Sequence, residues 1–424
     1  MKKLVVREYD RIHSCNSQLD NFVEKVEFEK LKRFIFIKEN IGEDSPLSFF
    51  DIGYHREFGE YIQIQNYVGV IELGNNFQIE ILPKIAGYNS FNDTREILMN
   101  MIKAMDRFPM KIYRSANTRA YEMNIFEIFI NMYLVEAMEI VKRGLISDYV
   151  HMEDNLRFFR GKFQITTHVK ENFNRKDRTK MQFDEYNMDI AENRVMKRCI
   201  ERLRKISRDT KNQKLAIRLL PHFDRVKETK NIEKEFKEIV ISRKNKHYKS
   251  IIDWSWIILK DKSFSSVSGD NSTRALLFPM EQLFEAYVGK WIKRKFAEFG
   301  YEVTLQAKGK YLFDEPRSFR LIPDIVIKKD GKTIGIMDTK WKILSNDMSN
   351  YGISQGDMYQ MFAYSKLYNC ENIFLLYPKS GITDDEISYT GHDINVRICF
   401  IDLKDMEKSV HRLLNQIEIP CNNN

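Results

Sequence analysis

The sequence predicts an α+β, multidomain protein. A β-rich N-terminal domain covers residues 1–110, a mixed, helical and basic middle region covers 111–264, and a C-terminal domain running αβββαβ covers 265–424. Three observations predict this. Short apolar alternations crowd the stretch before residue 85, and positive charge gathers in the middle. In the last third, two apolar strands meet at a tight turn and carry paired acids.

Taken in order, residues 61–64, 68–73 and 77–82 read as short strands, the last two joined by the turn sequence Gly74-Asn75-Asn76. Pro83 ends the third, because proline cannot donate into a ladder. A helix follows over about 123–143; its stripe of Phe126, Ile130, Tyr133, Leu134 and Ala137 reads as core, and Gly144 stops it. Residues 151–250 hold 27 Lys and Arg against 15 Asp and Glu, a net of +12 in a chain of net +8. The rest of the chain therefore carries −4. Arg175, Lys176, Arg178, Lys180, Lys197, Arg198, Lys244 and Lys246 are the candidates for contacts with DNA phosphates, where neutralising charge releases counterions. Taken alone, such a mixture of charges is also what a solvated helical surface looks like.

The C-terminal order begins with a helix over 279–296, whose Leu283, Phe284, Tyr287, Val288 and Trp291 recur at helical spacing, and a strand over 301–306. Strands over 321–327 and 333–341 flank Asp330-Gly331, a strong hairpin signal. A helix over 355–368 and an apolar strand over 373–377 complete it. The hairpin brings Asp324, of Pro323-Asp324, beside Asp338, of Asp338-Thr339-Lys340. Residues two apart on a strand share a face, so Asp338 and Lys340 point the same way. Two carboxylates and a lysine are the minimal set for metal-dependent cleavage of a phosphodiester. The chain holds decoys: Asp209-Thr210-Lys211, Asp402-Leu403-Lys404 and Glu235-Phe236-Lys237. None follows a Pro-Asp; Glu235 reads as part of a solvated helix face and Asp209 as part of a basic helical stretch.

This order and these residues resemble the PD-(D/E)xK nuclease core of restriction and recombination nucleases. The resemblance implies that Asp324 and Asp338 bind divalent metal, that the Thr339 carbonyl is a further ligand, and that Lys340 positions the attacking water. It also implies that Glu285, on the first helix, faces the metals, and that Gln360, in a Tyr-Gln pair on the second, lies near the site. Oxygen ligands with an incomplete shell suit Mg²⁺, which would activate water and stabilise charge on phosphorus.

A longer series of motifs is similar to one family, the McrC subunit of McrBC-type restriction systems. It comprises Tyr67-Val68-Gly69-Val70-Ile71, Ile79-Glu80-Ile81-Leu82-Pro83-Lys84-Ile85, Phe159-Arg160-Gly161-Lys162 and Phe183-Asp184-Glu185-Tyr186 with Asp189 and Asn193. It continues with Leu283-Phe284-Glu285, Pro323-Asp324, Asp338-Thr339-Lys340-Trp341-Lys342 and Tyr359-Gln360-Met361. The resemblance implies a Mg²⁺-dependent endonuclease that cuts double-stranded DNA, activated by a GTP-hydrolysing AAA+ partner that recognises methylated cytosine. It further implies that the β-rich region around 50–90 docks on that partner. The chain departs from compact members in its lysine-rich middle and extended first 50 residues. Two alternatives stand beside it: a standalone repair or recombination nuclease, and a non-catalytic adaptor that stimulates the partner.

Other features exclude classes of function. No glycine-rich phosphate loop of the Walker type occurs, so the chain does not itself read as a nucleotide hydrolase. No apolar run reaches 18 residues, and only three apolar residues separate Lys3 from Arg7, so neither a membrane span nor a signal peptide is expected. Five scattered cysteines without Cys-x-x-Cys spacing point to a reducing cytoplasm and away from a zinc site.

Overall fold

The computed structural model describes residues 2–39, 50–73, 77–85, 90–104, 125–175, 177–229, 231–260, 274–379 and 387–418. The architecture is mixed α/β with several sheets. Contacts gather the chain into two compact units: Met1–Asp106 together with Ser266–Asn424, and Arg107–Ser265. The first and last regions thus share one unit, and residues between them form the other.

The first unit begins with β1 (Lys2–Arg7), β2 (Arg11–His13), α1 (Lys25–Glu39), β3 (Phe50–His55), β4 (Gly59–Ile64), β5 (Tyr67–Leu73), β6 (Phe77–Leu82) and α2 (Phe91–Ala104). The three expected strands correspond to β4, β5 and β6. Their turn, Gly74-Asn75-Asn76, lies outside the described residues, but Leu73 pairs with Phe77 across it. Nearly every residue of β5 and β6 is buried, including the polar Glu72, Gln78 and Glu80 that give their sequences the look of half-exposed alternation. Two helices accompany these strands, so the region is less purely β than its alternations suggest. Glu80 is buried on β6, where Arg95 of α2 grips it through Nε and a terminal nitrogen at 2.7 and 2.5 Å. Val6, Phe28, Leu31, Ile62, Ile71 and Ile79 belong to the local core.

The second unit contains α3 (Ile125–Arg143), β7 (Asp148–Leu156), β8 (Lys162–Phe163), α4 (Ile165–Glu171), β9 (Thr179–Asn187), α5 (Ala191–Ile206), α6 (Thr210–Leu219), α7 (Ile232–Glu238) and α8 (Lys249–Lys260). Gly144 follows α3 at φ +93°, a conformation that suits glycine at a helix end. The sheet β7–β9–β8 went unread in the sequence, because its alternation is filled largely by polar and half-exposed residues. Asp209 caps α6, accepting from the N–H groups of Lys211 and Asn212. Glu235 corrects its expectation of a solvated face. It is buried and accepts from Nε and a terminal nitrogen of Arg194 at 2.8–3.0 Å.

The chain then returns to the first unit through β10 (Arg274–Pro279), which pairs antiparallel with β5 and completes the sheet β1-β6-β5-β10. It continues as α9 (Met280–Glu298), β11 (Glu302–Leu305), β12 (Lys310–Phe313), β13 (Ser318–Leu321), β14 (Ile325–Lys329), β15 (Lys332–Thr339), α10 (Gln355–Tyr368), β16 (Asn372–Pro378), β17 (Ile387–Gly391), β18 (Ile394–Ile401) and α11 (Met406–Glu418). A six-stranded sheet runs β11-β14-β15-β16-β18-β17. Within it, α9-β11-β14-β15-α10-β16 follow in the order helix, three strands, helix, strand. The β12–β13 pair is inserted among them, and β17, β18 and α11 are added after. Asp330 and Gly331 both take positive φ, +51° and +76°, the backbone a two-residue hairpin requires. α10 runs between β15 and β16, which lie parallel; Ser354 caps it by accepting from Asp357 N. Among the described residues no helix is long and apolar enough to cross a membrane.

Candidate active site

The β14–β15 hairpin brings Asp324 and Asp338 together. Pro323 is buried, and β11 anchors the start of β14 as Gln306 N donates to Asp324 O at 2.7 Å and Ala307 N to Pro323 O at 3.2 Å. The Asp324 side chain then faces the end of β15, where Oδ2 accepts from both the N–H and the hydroxyl of Thr339, at 2.7 and 2.6 Å. Asp338 is only 3% exposed. Lys340 lies just past the strand and returns to the same face: its Nζ is 2.8 Å from Asp338 Oδ2 and 3.4 Å from Asp357 Oδ1.

α10 supplies the opposite wall. Lys340 Nζ donates to Gln360 Oε1 at 3.1 Å, Gln360 Nε2 donates to the Tyr364 hydroxyl at 2.7 Å, and that hydroxyl donates to Ile322 O at 3.1 Å. This relay fixes which end of the Gln360 amide meets the lysine. Glu285 comes from α9 and accepts from Gln306 Nε2 at 2.9 Å. All five sequence candidates (Asp324, Asp338, Lys340, Glu285 and Gln360) are therefore linked within one unit. Asp357, Gln306 and Tyr364 were missed as site residues. Asp357 and Tyr364 sit three before and four after Gln360, on the same helix face, and that spacing was the available signal.

Charge is unbalanced here. Burial, with the negative fields of Asp324 and Asp338, pushes the Glu285 carboxyl up to about 7. Burial and Asp324 push Asp338 up to about 6 against the pull of Lys340. Asp324 is also raised by burial, although Thr339 and Lys340 oppose it. Burial alone would lower the Lys340 ammonium, but Asp338, Asp357 and Asp324 outweigh it and hold it higher than usual. Among the described residues, no three or more His, Cys, Asp or Glu side chains form a ready-made metal cage. The Asp324, Asp338 and Glu285 carboxyls could still offer oxygen ligands to a divalent cation that keeps several of its own waters.

The basic candidates of the second unit are more divided. Arg175, Arg198, Lys244 and Lys246 are exposed, and Lys176 lies outside the described residues. Lys197 is half-buried, and its Nζ donates to Val226 O at 2.6 Å and Phe223 O at 3.3 Å. Lys180 is held by Glu171 at 2.8 Å, and Arg178 is 3.8 Å from Asp177. Asn193, singled out with Asp189, donates to Ile146 O and Met188 O, a bracing role.

A family model described as the McrBC 5-methylcytosine restriction system component matches residues 62–378. Among solved structures, a chain of the refined half-complex from the tetradecameric assembly of Thermococcus gammatolerans McrB AAA+ hexamers with bound McrC is 17% identical. The match covers 98% of this chain and 100% of that one, with a TM-score of 0.65. A chain in the cryo-EM structure of the Thermococcus gammatolerans McrBC complex is 16% identical, covering 73% of this chain and 90% of that chain, with a TM-score of 0.49. No curated protein matches.

Proposed function

The chain belongs to the family of McrBC 5-methylcytosine restriction system components, and on that premise we propose that it is the system's Mg²⁺-dependent endonuclease subunit, cutting double-stranded DNA. One observation carries the reading: Asp324, Asp338 and Lys340 meet on one face of the β14–β15 hairpin, with the ammonium 2.8 Å from Asp338. The surrounding helix, three strands, helix and strand then correspond to a PD-(D/E)xK core.

Asp324, Asp338, Glu285 and the Thr339 carbonyl would hold Mg²⁺. When bound, the metal supplies Lewis-acid stabilisation of the charge that builds on the scissile phosphate. Lys340 stays protonated at neutral pH, because its carboxylate neighbours raise it. In this reading it acts as a donor that orients the attacking water. Gln360 and Asp357 hold that ammonium in place. Exposed Arg175, Arg198, Lys244 and Lys246 contact DNA phosphates. A GTP-hydrolysing AAA+ subunit activates cutting, docking on the β-rich region around 50–90, and the pair works in the cytoplasm. Support for the partner comes from the relative of like fold, which is bound to AAA+ hexamers.

The test is cleavage of duplex DNA carrying 5-methylcytosine, with partner, GTP and Mg²⁺ present. Lys340→Ala and Asp324→Ala are expected to lower cutting about 10³-fold or more while stimulation of GTP hydrolysis persists. Full cleavage by Asp338→Ala would remove the site assignment. Cutting by the purified chain without GTP or partner would identify a standalone nuclease. Stimulation with no cutting under any condition would identify an adaptor.

A further inference from the structure

Glu8, the residue after β1, is completely buried yet reaches the far end of the chain. Its Oε1 and Oε2 accept from Trp341 Nε1 at 3.0 and 3.1 Å, and Oε2 also accepts from Lys84 N at 3.0 Å. Its own N–H donates to Leu82 O. Trp341 directly follows Lys340. The indole also packs against Phe284, with ring centroids 5.3 Å apart, and Phe284 is the buried neighbour of Glu285 on α9.

The first sheet therefore holds the acid–lysine cluster from two sides. On one side β5 pairs with β10, which runs through Pro279 into α9 and so places Glu285. On the other, Glu8 clasps the residue next to Lys340. A carboxyl is an unfavourable group to bury unless its hydrogen bonds matter, and an apolar side chain would fill the same space more readily. Burial pushes Glu8 up to about 8, even against the help of the Lys84 N–H and the indole.

We propose that Glu8 is a positioning residue for DNA cutting: by fixing the Trp341 indole it sets where the Lys340 ammonium stands against Asp338. This rests on the nuclease reading given above. It makes the first sheet a working part of the cutting site, in addition to any docking role.

The experiment uses the full chain with partner, GTP, Mg²⁺ and methylated duplex. Glu8→Ala is expected to lower kcat for cutting about tenfold or more, as small displacements of reacting groups do. KM for DNA and stimulated GTP hydrolysis should stay unchanged. Glu8→Gln, whose amide oxygen still accepts from the indole and from Lys84 N, should recover to within about threefold of the parent. If Glu8→Ala does not fold, Trp341→Phe removes the indole N–H along with part of the ring surface on Phe284, and carries the same expectation of a lower kcat. A second readout needs no cutting: the near-ultraviolet dichroism of Trp341, taken as the parent minus Trp341→Phe difference, should vanish in Glu8→Ala and survive in Glu8→Gln. Parental kcat in Glu8→Ala, equal loss in Glu8→Gln, or survival of the band in Glu8→Ala would each overturn the proposal. A parent that never cuts would overturn the nuclease reading instead, leaving the dichroism to decide whether Glu8 sets Trp341.

Discussion

Both units bury a cluster of acids and bases, and the two clusters are in opposite condition. In the second unit, Arg194 meets Glu235 through two of its nitrogens and donates to the Asp189 carbonyl at 2.6 Å. Asp189 also accepts from Lys227 N at 3.0 Å. Burial would raise Asp189, but the Lys227 N–H, the Lys227 ammonium and Arg194 outweigh it and hold the carboxyl below its usual range. Each charge is answered, so the cluster is part of the frame. In the first unit, Asp324 and Asp338 share the Lys340 ammonium with Asp357, Glu285 stands against them, and burial raises all three of Glu285, Asp324 and Asp338. A charge arrangement left unsettled by its own protein marks this cluster, and not the Arg194 one, as the candidate functional site.

Neutralising one acid in the first cluster should break function and relieve the fold together. Asp338→Asn should lose about 10³-fold in cutting. In metal-free buffer at pH 8 it should nevertheless melt higher than the parent, by on the order of 2–3 kcal/mol. The sign follows from a folded pKa of about 6 against an ordinary 3.8. The folded state keeps this proton longer than the unfolded chain, so parental stability falls as pH climbs from about 4 to 6 and is level above. The gain should therefore disappear near pH 3.5. Calorimetry across that range is the check; a lower melting temperature at pH 8 would put Asp338 in the same settled condition as Asp189.

The equivalent change in the second unit should go the other way. Glu235→Ala takes the two-nitrogen partner from a largely buried guanidinium, leaving it Asp189 alone at close range, and is expected to destabilise that unit by about 3 kcal/mol, read as a shift in urea unfolding. Smaller still is the effect expected of Gly161→Ala. Gly161 takes φ +76°, and a Cβ there would run into the Gln182 carbonyl and the Phe183 side chain. A loss of about 1–3 kcal/mol in the same unfolding assay, with the melting of Asp338→Asn relative to its own parent unaffected, would keep the two units' energetics separate.

What was legible in the sequence was what is local. Asp324, Asp338 and Lys340 are joined by a two-residue turn, so strand period and turn chemistry were enough to bring them together. The bounds read for α10 match its own, and in the structure Ser354 caps it and Asn369 closes it in the left-handed region at φ +49°. Partners far apart in sequence were not legible. Glu8 and Trp341 are 333 residues apart, and a glutamate after a short strand reads as surface. Glu235 was misread for the same reason, since its alternating neighbours say nothing of Arg194. The pairing of β10 with β5 escaped notice because its two edges belong to opposite ends of the chain.

That last pairing has a consequence for the birth of the molecule. A ribosome delivers β5 long before β10, with the whole second unit emerging in between. Until then the open side of β5 is an unpaired edge of the kind that recruits stray strands. The inserted unit is free to mature first, while the first unit waits, unfinished and adhesive, for its last third. Nascent chains stalled before residue 274 should accordingly be the ones that most need a chaperone.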